Sequence, residues 1–238
     1  MIRTNYKHAL IPLTALVALA VGNAPSARAD VTQTYTYTYP SSGTALTDLI
    51  NIPMPLTQFD TSLGILTGVN LSYSFAENQS GTVKNNATGS QNFKVTATTN
   101  YFLSDPGANQ LLFKDAVNSQ TYTGLASGAS STFGPFNPSN SVSVVLGPGD
   151  GSLFTQFKGN GTITLRADTT SGTTILGGGG NIQTTIVTNT SVTASVFYTY
   201  TVPQVPEPGT IGLFASMLMV GGGFGARRLI RKKAQKAE

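Results

Sequence analysis

The chain has no cysteine and no tryptophan, a single histidine, and few charges: 10% of its 238 residues are Asp, Glu, Lys or Arg. Without cysteine there is no disulfide, no thiolate nucleophile and no thiolate metal ligand. The one histidine, His8, sits in an N-terminal segment that reads as a removable leader. Beyond it, a Ser-His-Asp triad, a histidine base and the usual zinc sites are excluded. No Walker pattern is present, which removes nucleotide chemistry. No window between the two ends has the period of an amphipathic helix.

The ends carry the clearest signals. Arg3 and Lys7 precede an apolar run from Ala9 to Gly22, and Ala27-Arg28-Ala29 is a small-x-small cleavage site. Residues 1–29 therefore read as a secretory signal peptide handed to the Sec translocation machinery, with Asp30 as the first mature residue; an uncleaved anchor is the alternative. At the other end, Thr210 to Ala226 has no charge and is followed by Arg227, Arg228, Arg231, Lys232 and Lys233. A spanning helix needs roughly 17–25 apolar residues. The segment 210–226 is expected to be a transmembrane helix, its basic end cytoplasmic by the positive-inside rule. Pro206 and Pro208 place its start after residue 208. On this topology residues 30–204 lie outside the inner membrane.

The formal charge of +4 belongs to these ends. The exported part keeps five bases, Lys84, Lys94, Lys114, Lys158 and Arg166, against eight acids, so it is mildly acidic. Nucleic acid is rejected as a partner on that ground.

Val205-Pro206-Glu207-Pro208, the apolar segment and the Arg-rich end together resemble the PEP-CTERM sorting signal of Gram-negative bacteria. The resemblance covers residues 205–238. It implies that a membrane protease-transpeptidase, the exosortase, reads Pro206, Glu207 and Pro208 and processes the tail. A plain membrane anchor is the alternative. A second stretch, Phe59-Asp60-Thr61-Ser62-Leu63-Gly64-Ile65-Leu66-Thr67-Gly68-Val69-Asn70-Leu71, is similar to the opening motif of the choice-of-anchor E domain. Gly159-Asn160-Gly161-Thr162-Ile163 and Tyr198-Thr199-Tyr200 fit the same pattern, so this likeness covers roughly 32–202. It implies an exported surface protein and brings no catalytic residue with it.

The exported part reads as all-β: one antiparallel β-sandwich, jelly-roll-like, with a β-solenoid as the alternative. Thr34 to Tyr39 alternates polar and aromatic at period two. Leu63, Leu66, Val69 and Leu71 are expected in the core, Asp60 in a turn, and Gly64 and Gly68 at a bend or bulge. Further strands are expected over 63–75, 93–103, 120–125, 142–146, 161–167, 182–187 and 192–202. Turns are expected over 77–90, 104–109, 134–140, 147–151 and 177–181. About 175 residues can bury a core without disulfides.

Three chemistries are weighed for this domain. A glycosidase needs two carboxylates, and the candidates are Asp48, Asp60, Glu77, Asp105, Asp115, Asp150 and Asp168. All but Asp115 sit beside turn-forming residues, so no catalytic residue is assigned. Asp105 and Asp150, in glycine-rich loops, are candidate calcium ligands, though neither loop has the EF-hand spacing and ordinary turns explain both. No cofactor is otherwise expected. Tyr35, Tyr37, Tyr39, Tyr198 and Tyr200 form either a glycan-binding platform or cross-strand pairs. Asn70, Asn78, Asn86, Asn160 and Asn189 each begin an Asn-x-Ser/Thr triplet, which a chain this rich in Ser and Thr produces by chance.

The expectation is an exported, non-enzymatic protein. It is held at the inner membrane facing the periplasm, then released to the cell surface or extracellular matrix. Its role would be structural or adhesive in exopolysaccharide or biofilm, and a carbohydrate-binding module is the alternative.

Overall fold

A computed structural model describes residues 30–203. The cleavage site Ala27 and Ala29, the motif Pro206–Pro208, the apolar segment and the basic end all lie outside the described residues. Among the described residues no helix is long and apolar enough to cross a membrane.

The described residues form an all-β sandwich of two antiparallel sheets. The strands are β1 (Asp30–Tyr39), β2 (Ala45–Leu46), β3 (Ile52–Thr57), β4 (Ile65–Asn85) and β5 (Gln91–Ser104). After them come β6 (Gln110–Leu125), β7 (Ser130–Phe136), β8 (Ser139–Leu146), β9 (Thr162–Gly177) and β10 (Ile182–Thr201). One short helix, α1 (Gly151–Gln156), precedes β9. The first sheet runs β1-β10-β4, and β4 is then flanked by β7 along one half and β8 along the other. The facing sheet runs β3-β9-β5-β6. The two sheets are the sandwich anticipated from the alternating pattern, and not the solenoid.

The alternation fixes which side of each strand is inside. Along β4, Leu66, Val69, Leu71, Tyr73 and Phe75 are buried while the residues between them are not. They pack with Met54 and Leu56 of β3, Tyr101 and Leu103 of β5, and Leu165 of β9. Leu66 and Val69 share the inner side because the β4–β10 register slips beside Gly68. Leu63, expected in the core, is instead an exposed turn residue. Its N–H donates to the Asp60 carbonyl, and the Asp60 carboxylate accepts from Ser62 N–H at 2.8 Å.

A second apolar cluster lies at the far end of the long strands. Val83, Phe93, Val95, Ala97, Tyr122 and Phe133 build it. Between the two clusters the inner positions are polar: Glu77, Gln79, Thr99, Thr188 and Thr190 are all buried. This belt accounts for two departures from the sequence reading. Residues 77–85 continue β4 rather than turning, and 182–201 is one strand rather than two. Polar inner residues break the apolar pattern but not the ladder: Glu77 and Thr190 hydrogen-bond with Tyr101 and Gln79 with Asn118 across the sandwich, and Thr188 with Gln79 within its sheet.

Other departures have simpler causes. β3 carries Pro53 and Pro55, which its edge position tolerates. β6 and β9 extend well past the expected 120–125 and 161–167. β7 occupies part of the expected turn at 134–140.

Candidate functional site

The outer face of the first sheet is an array of small hydroxyl side chains. Period two places Thr32, Thr34, Thr36 and Thr38 of β1 on this face, with Thr193, Ser195 and Thr199 of β10. β4 adds Asn70, Ser72 and Ser74, and β8 adds Ser141 and Ser143. The register aligns them in rows across four strands. One row is Thr38, Thr193, Ser74 and Ser141; the next is Thr36, Ser195, Ser72 and Ser143. The third, Thr34, Phe197, Asn70 and Val145, brings in two exposed apolar side chains. Neighbouring rows are separated by about 6.8 Å and neighbouring strands by about 4.8 Å.

The middle of this face is a trough of about 570 Å³. Ser72, Ser74 and Ser195 line it together with Thr34, Asn70, Ser141, Val142, Ser143 and Phe197. No lining residue is charged. Some hydroxyls already pair: Thr36 with Ser195 at 3.0 Å and Thr38 with Thr193 at 2.9 Å. Each serine or threonine hydroxyl can both donate and accept. The trough thus offers mixed hydrogen bonding and one aromatic ring, without an electrostatic preference.

The tyrosines do not form a platform. Tyr198 and Tyr200 are buried, and Tyr35, Tyr37 and Tyr39 are half-buried against the core. Tyr198 OH donates to the Thr57 carbonyl at 2.8 Å, and its ring lies 6.1 Å from that of Tyr35. Burial raises the Tyr198 phenol above its ordinary range. Their aromatic alternation points inward, so the reading of these five residues as a glycan-binding surface is corrected.

The carboxylates are dispersed. Asp48 accepts from Ser171 N–H at 2.9 Å, and Asp168 from Asn51 N–H at 2.7 Å. Asp105 is buried in the β5–β6 turn, where Asn109 donates to it through its backbone at 2.8 Å and its side chain at 2.9 Å. Burial pushes that carboxyl up, but hydrogen bonds from Asn109, Gly107 and Gln156 outweigh it and hold the group below the usual range. Asp150 accepts from Gly147 N–H at 2.7 Å in a 3-10 turn. Asp105 and Asp150 each fasten their own loop, and among the described residues no group of three His, Asp or Glu side chains converges. Asp115 is exposed on β6.

Glu77 differs from the rest. It is buried in the polar belt, where Tyr101 OH donates to Oε2 at 2.6 Å and Asn118 Nδ2 lies 3.4 Å from Oε1. Desolvation raises its carboxyl above the ordinary glutamate range, with the Tyr101 hydroxyl pulling the other way. No hydrogen-bond partner of Glu77 is a carboxylate.

Sequence reasoning missed the trough. Its signal is a period-two run of hydroxyl residues in four separate places, but only the strand order makes them neighbours.

No family model and no curated protein matches the chain. Among solved structures it is similar to the infectious bursal disease virus T13 particle, at 11% identity and a TM-score of 0.23 over 88% of this chain and 50% of that one. The Gt strain of that virus gives 14% identity and a TM-score of 0.22 over 92% and 55%. The chain spans about half the length of these structures, and a likeness this slight carries no argument.

Proposed function

We propose that this chain is an exported, non-enzymatic surface or matrix protein whose outer sheet face grips neutral polysaccharide. The observation that carries the reading is the uncharged trough of Ser72, Ser74, Ser195 and their neighbours, open to solvent and bordered by Phe197. A polymer of sugar hydroxyls presents donors and acceptors in alternation, with apolar C–H faces that an aromatic ring can cover. Anionic or cationic polymers find no opposite charge there.

The delivery part of the proposal rests on the two ends of the sequence. Residues 1–29 direct export, and Pro206-Glu207-Pro208 with 210–226 and the basic end serve as an exosortase sorting signal at the inner membrane. Asp30 pairs with Thr201, so the first and last strands of the described residues begin and end at the same end of the first sheet. The strand order β1-β10-β4-β8 facing β3-β9-β5-β6 is read as a jelly roll.

The test is depletion of the protein from solution by insoluble neutral polysaccharide, compared with an anionic one. Binding to the neutral polymer that persists in high salt is expected. Equal or greater binding to the anionic polymer, or none to either, would reject the reading. The delivery part is tested by intact mass from the native host: a chain beginning at Asp30 and ending near 205–208, recovered outside the inner membrane, is expected. A chain retaining Arg227 to Glu238 would reject sorting.

A further inference from the structure

We propose that β1 is an interface strand, pairing antiparallel with β1 of a second copy so that the two outer sheet faces join into one. The inference is independent of polysaccharide binding and goes beyond it.

The strands that bound the sheets, β1, β3, β6, β7 and β8, are not alike. β3 is blunted by Pro53 and Pro55. β6 carries Lys114 and Asp115, and its pairing with β5 slips twice. The far side of β4 is divided between β7 and β8, with Asn137 and Pro138 between them. β8 also lacks charge, proline and a slip, but it has eight residues; β1, from Val31 to Tyr39, is the longest edge that carries none of these devices. Its ten residues pair with β10 without a slip, and Val31 to Tyr39 contains neither charge nor proline. Among the described residues no backbone hydrogen bond reaches β1 except from β10. One edge of a ten-residue strand therefore presents open N–H and C=O groups. Such an edge is a template for another strand unless charge, proline or a bulge guards it.

The sequence of β1 suits a copy of itself. Antiparallel pairing about a twofold axis keeps outer face with outer face only if the axis is perpendicular to the sheet. Opposed residues then have the same parity. Apart from Asp30 at the strand's start, such registers set threonine against threonine outside, and Val31, Gln33 or tyrosine against members of the same set inside. Cross-strand Thr–Thr and aromatic pairs are favourable, and no like charges meet. The rows through Thr36 and Thr38 would then continue across the axis into the second copy.

Parity makes the proposal sharply testable. The sum of opposed residue numbers is even, so one residue of β1 must lie opposite its own copy. Opposed Cα atoms in an antiparallel pair are about 4.5–5.5 Å apart, within disulfide reach. The same residue one step from the axis is too far.

The chain has no cysteine, so single replacements report cleanly. Q33C, T34C, Y35C, T36C and Y37C are made in the full-length chain, with T121C on β6 and S141C on β8 as controls. Oxidation and a non-reducing gel read the outcome. The expected result is conversion of most of the chain to a covalent dimer at one of the five positions, and little at its neighbours or the controls. No position exceeding the controls, or all five cross-linking alike as in random collision, would overturn it. Sedimentation of the unmodified full-length chain in detergent guards against a replacement that disturbs folding: a monomer at every concentration overturns the proposal. Neither result bears on whether the monomer binds polysaccharide.

Discussion

The Tyr101 hydroxyl donates to the Glu77 carboxylate at 2.6 Å, and the Tyr101 ring stacks on Phe75 with centroids 3.9 Å apart. One side chain thus joins the main apolar core to the polar belt beyond it. Tyr101 OH also lies 3.1 Å from Thr190 Oγ1, and Thr190 donates to the Ala76 carbonyl at 3.1 Å. Asn118 Nδ2 donates to Gln79 Oε1 at 3.0 Å, and Gln79 Nε2 to Thr188 Oγ1 at 3.0 Å. The belt fastens β4 to β10 and to both β5 and β6 of the opposite sheet. It contains one ionisable carboxyl, Glu77, and no cation among its hydrogen-bonded members.

Glu77 sets a pH dependence of definite sign. Its folded-state pKa is raised, so the folded chain holds the proton more tightly than the unfolded one. That stability is fully present below the ordinary glutamate pKa and is lost as pH rises through the raised folded value. Glu77→Gln keeps an acceptor for Tyr101 and removes the charge. The variant is expected to lose this pH dependence and to be more stable than wild type near neutrality. Thermal melts across the acid-to-neutral range check it; an unchanged pH profile would refute the assignment.

Tyr101→Phe keeps the stack and deletes the hydroxyl. Losing a hydrogen bond to a buried charge costs about 1.5–3 kcal/mol, against about 1 kcal/mol for a neutral pair. The replacement should therefore cost more in wild type than in the Glu77→Gln background. Denaturant unfolding of the four chains in a double-mutant cycle measures the difference, and equal costs would show that Glu77 is neutral in the folded chain.

Asp105 acts with the opposite sign. Its folded-state pKa is lowered, so its contribution is present above the ordinary aspartate pKa and is lost as pH falls through the folded value. Asp105→Ala removes the acceptor for Asn109 and is expected to cost about 2 kcal/mol at neutral pH. The deficit should shrink in strong acid. A deficit that stays constant to low pH would mean that the loop is held by something other than the ionised carboxylate.

Gly81 sits where β4 meets β10, and a β-carbon there would collide with the Thr185 carbonyl. Gly81→Ala is expected to destabilise by about 2–3 kcal/mol. Gly89, with open space at the same position, tolerates alanine and serves as the control. Equal melting temperatures for the two variants would contradict the close approach.

Ser72→Leu fills the trough, and Phe197→Ala removes its ring. Both are expected to leave stability within about 0.5 kcal/mol, being on the outer face. Ser72→Leu should abolish retention on neutral polysaccharide. Phe197→Ala should weaken it roughly tenfold, the equivalent of 1.4 kcal/mol. Unaltered binding by both variants would move the site off this face.

The sequence by itself determined the class of fold and the composition of its faces. Period-two alternation in Thr34–Tyr39 and in Val69–Phe75, with turn residues at 104–109, 147–151 and 177–181, is a local property that backbone geometry reads directly. The absence of histidine and cysteine beyond residue 8 fixed the excluded chemistries in the same direct way. What the sequence left open depends on which strands lie side by side. Glu77, Gln79, Thr188 and Thr190 interrupt the apolar alternation until the sandwich buries them together, where Glu77 and Thr190 meet Tyr101 and Gln79 meets Asn118 across it and Thr188 meets Gln79 beside it. Tyr198 and Tyr35 could face either way until β10 settled against the core. Ser72, Ser195 and Ser143 are distant in the chain and become one row only through the pairing of β10, β4 and β8. Local alternation says which residues share a face; only the tertiary structure decides what stands next to that face, because strand order is set by long-range packing.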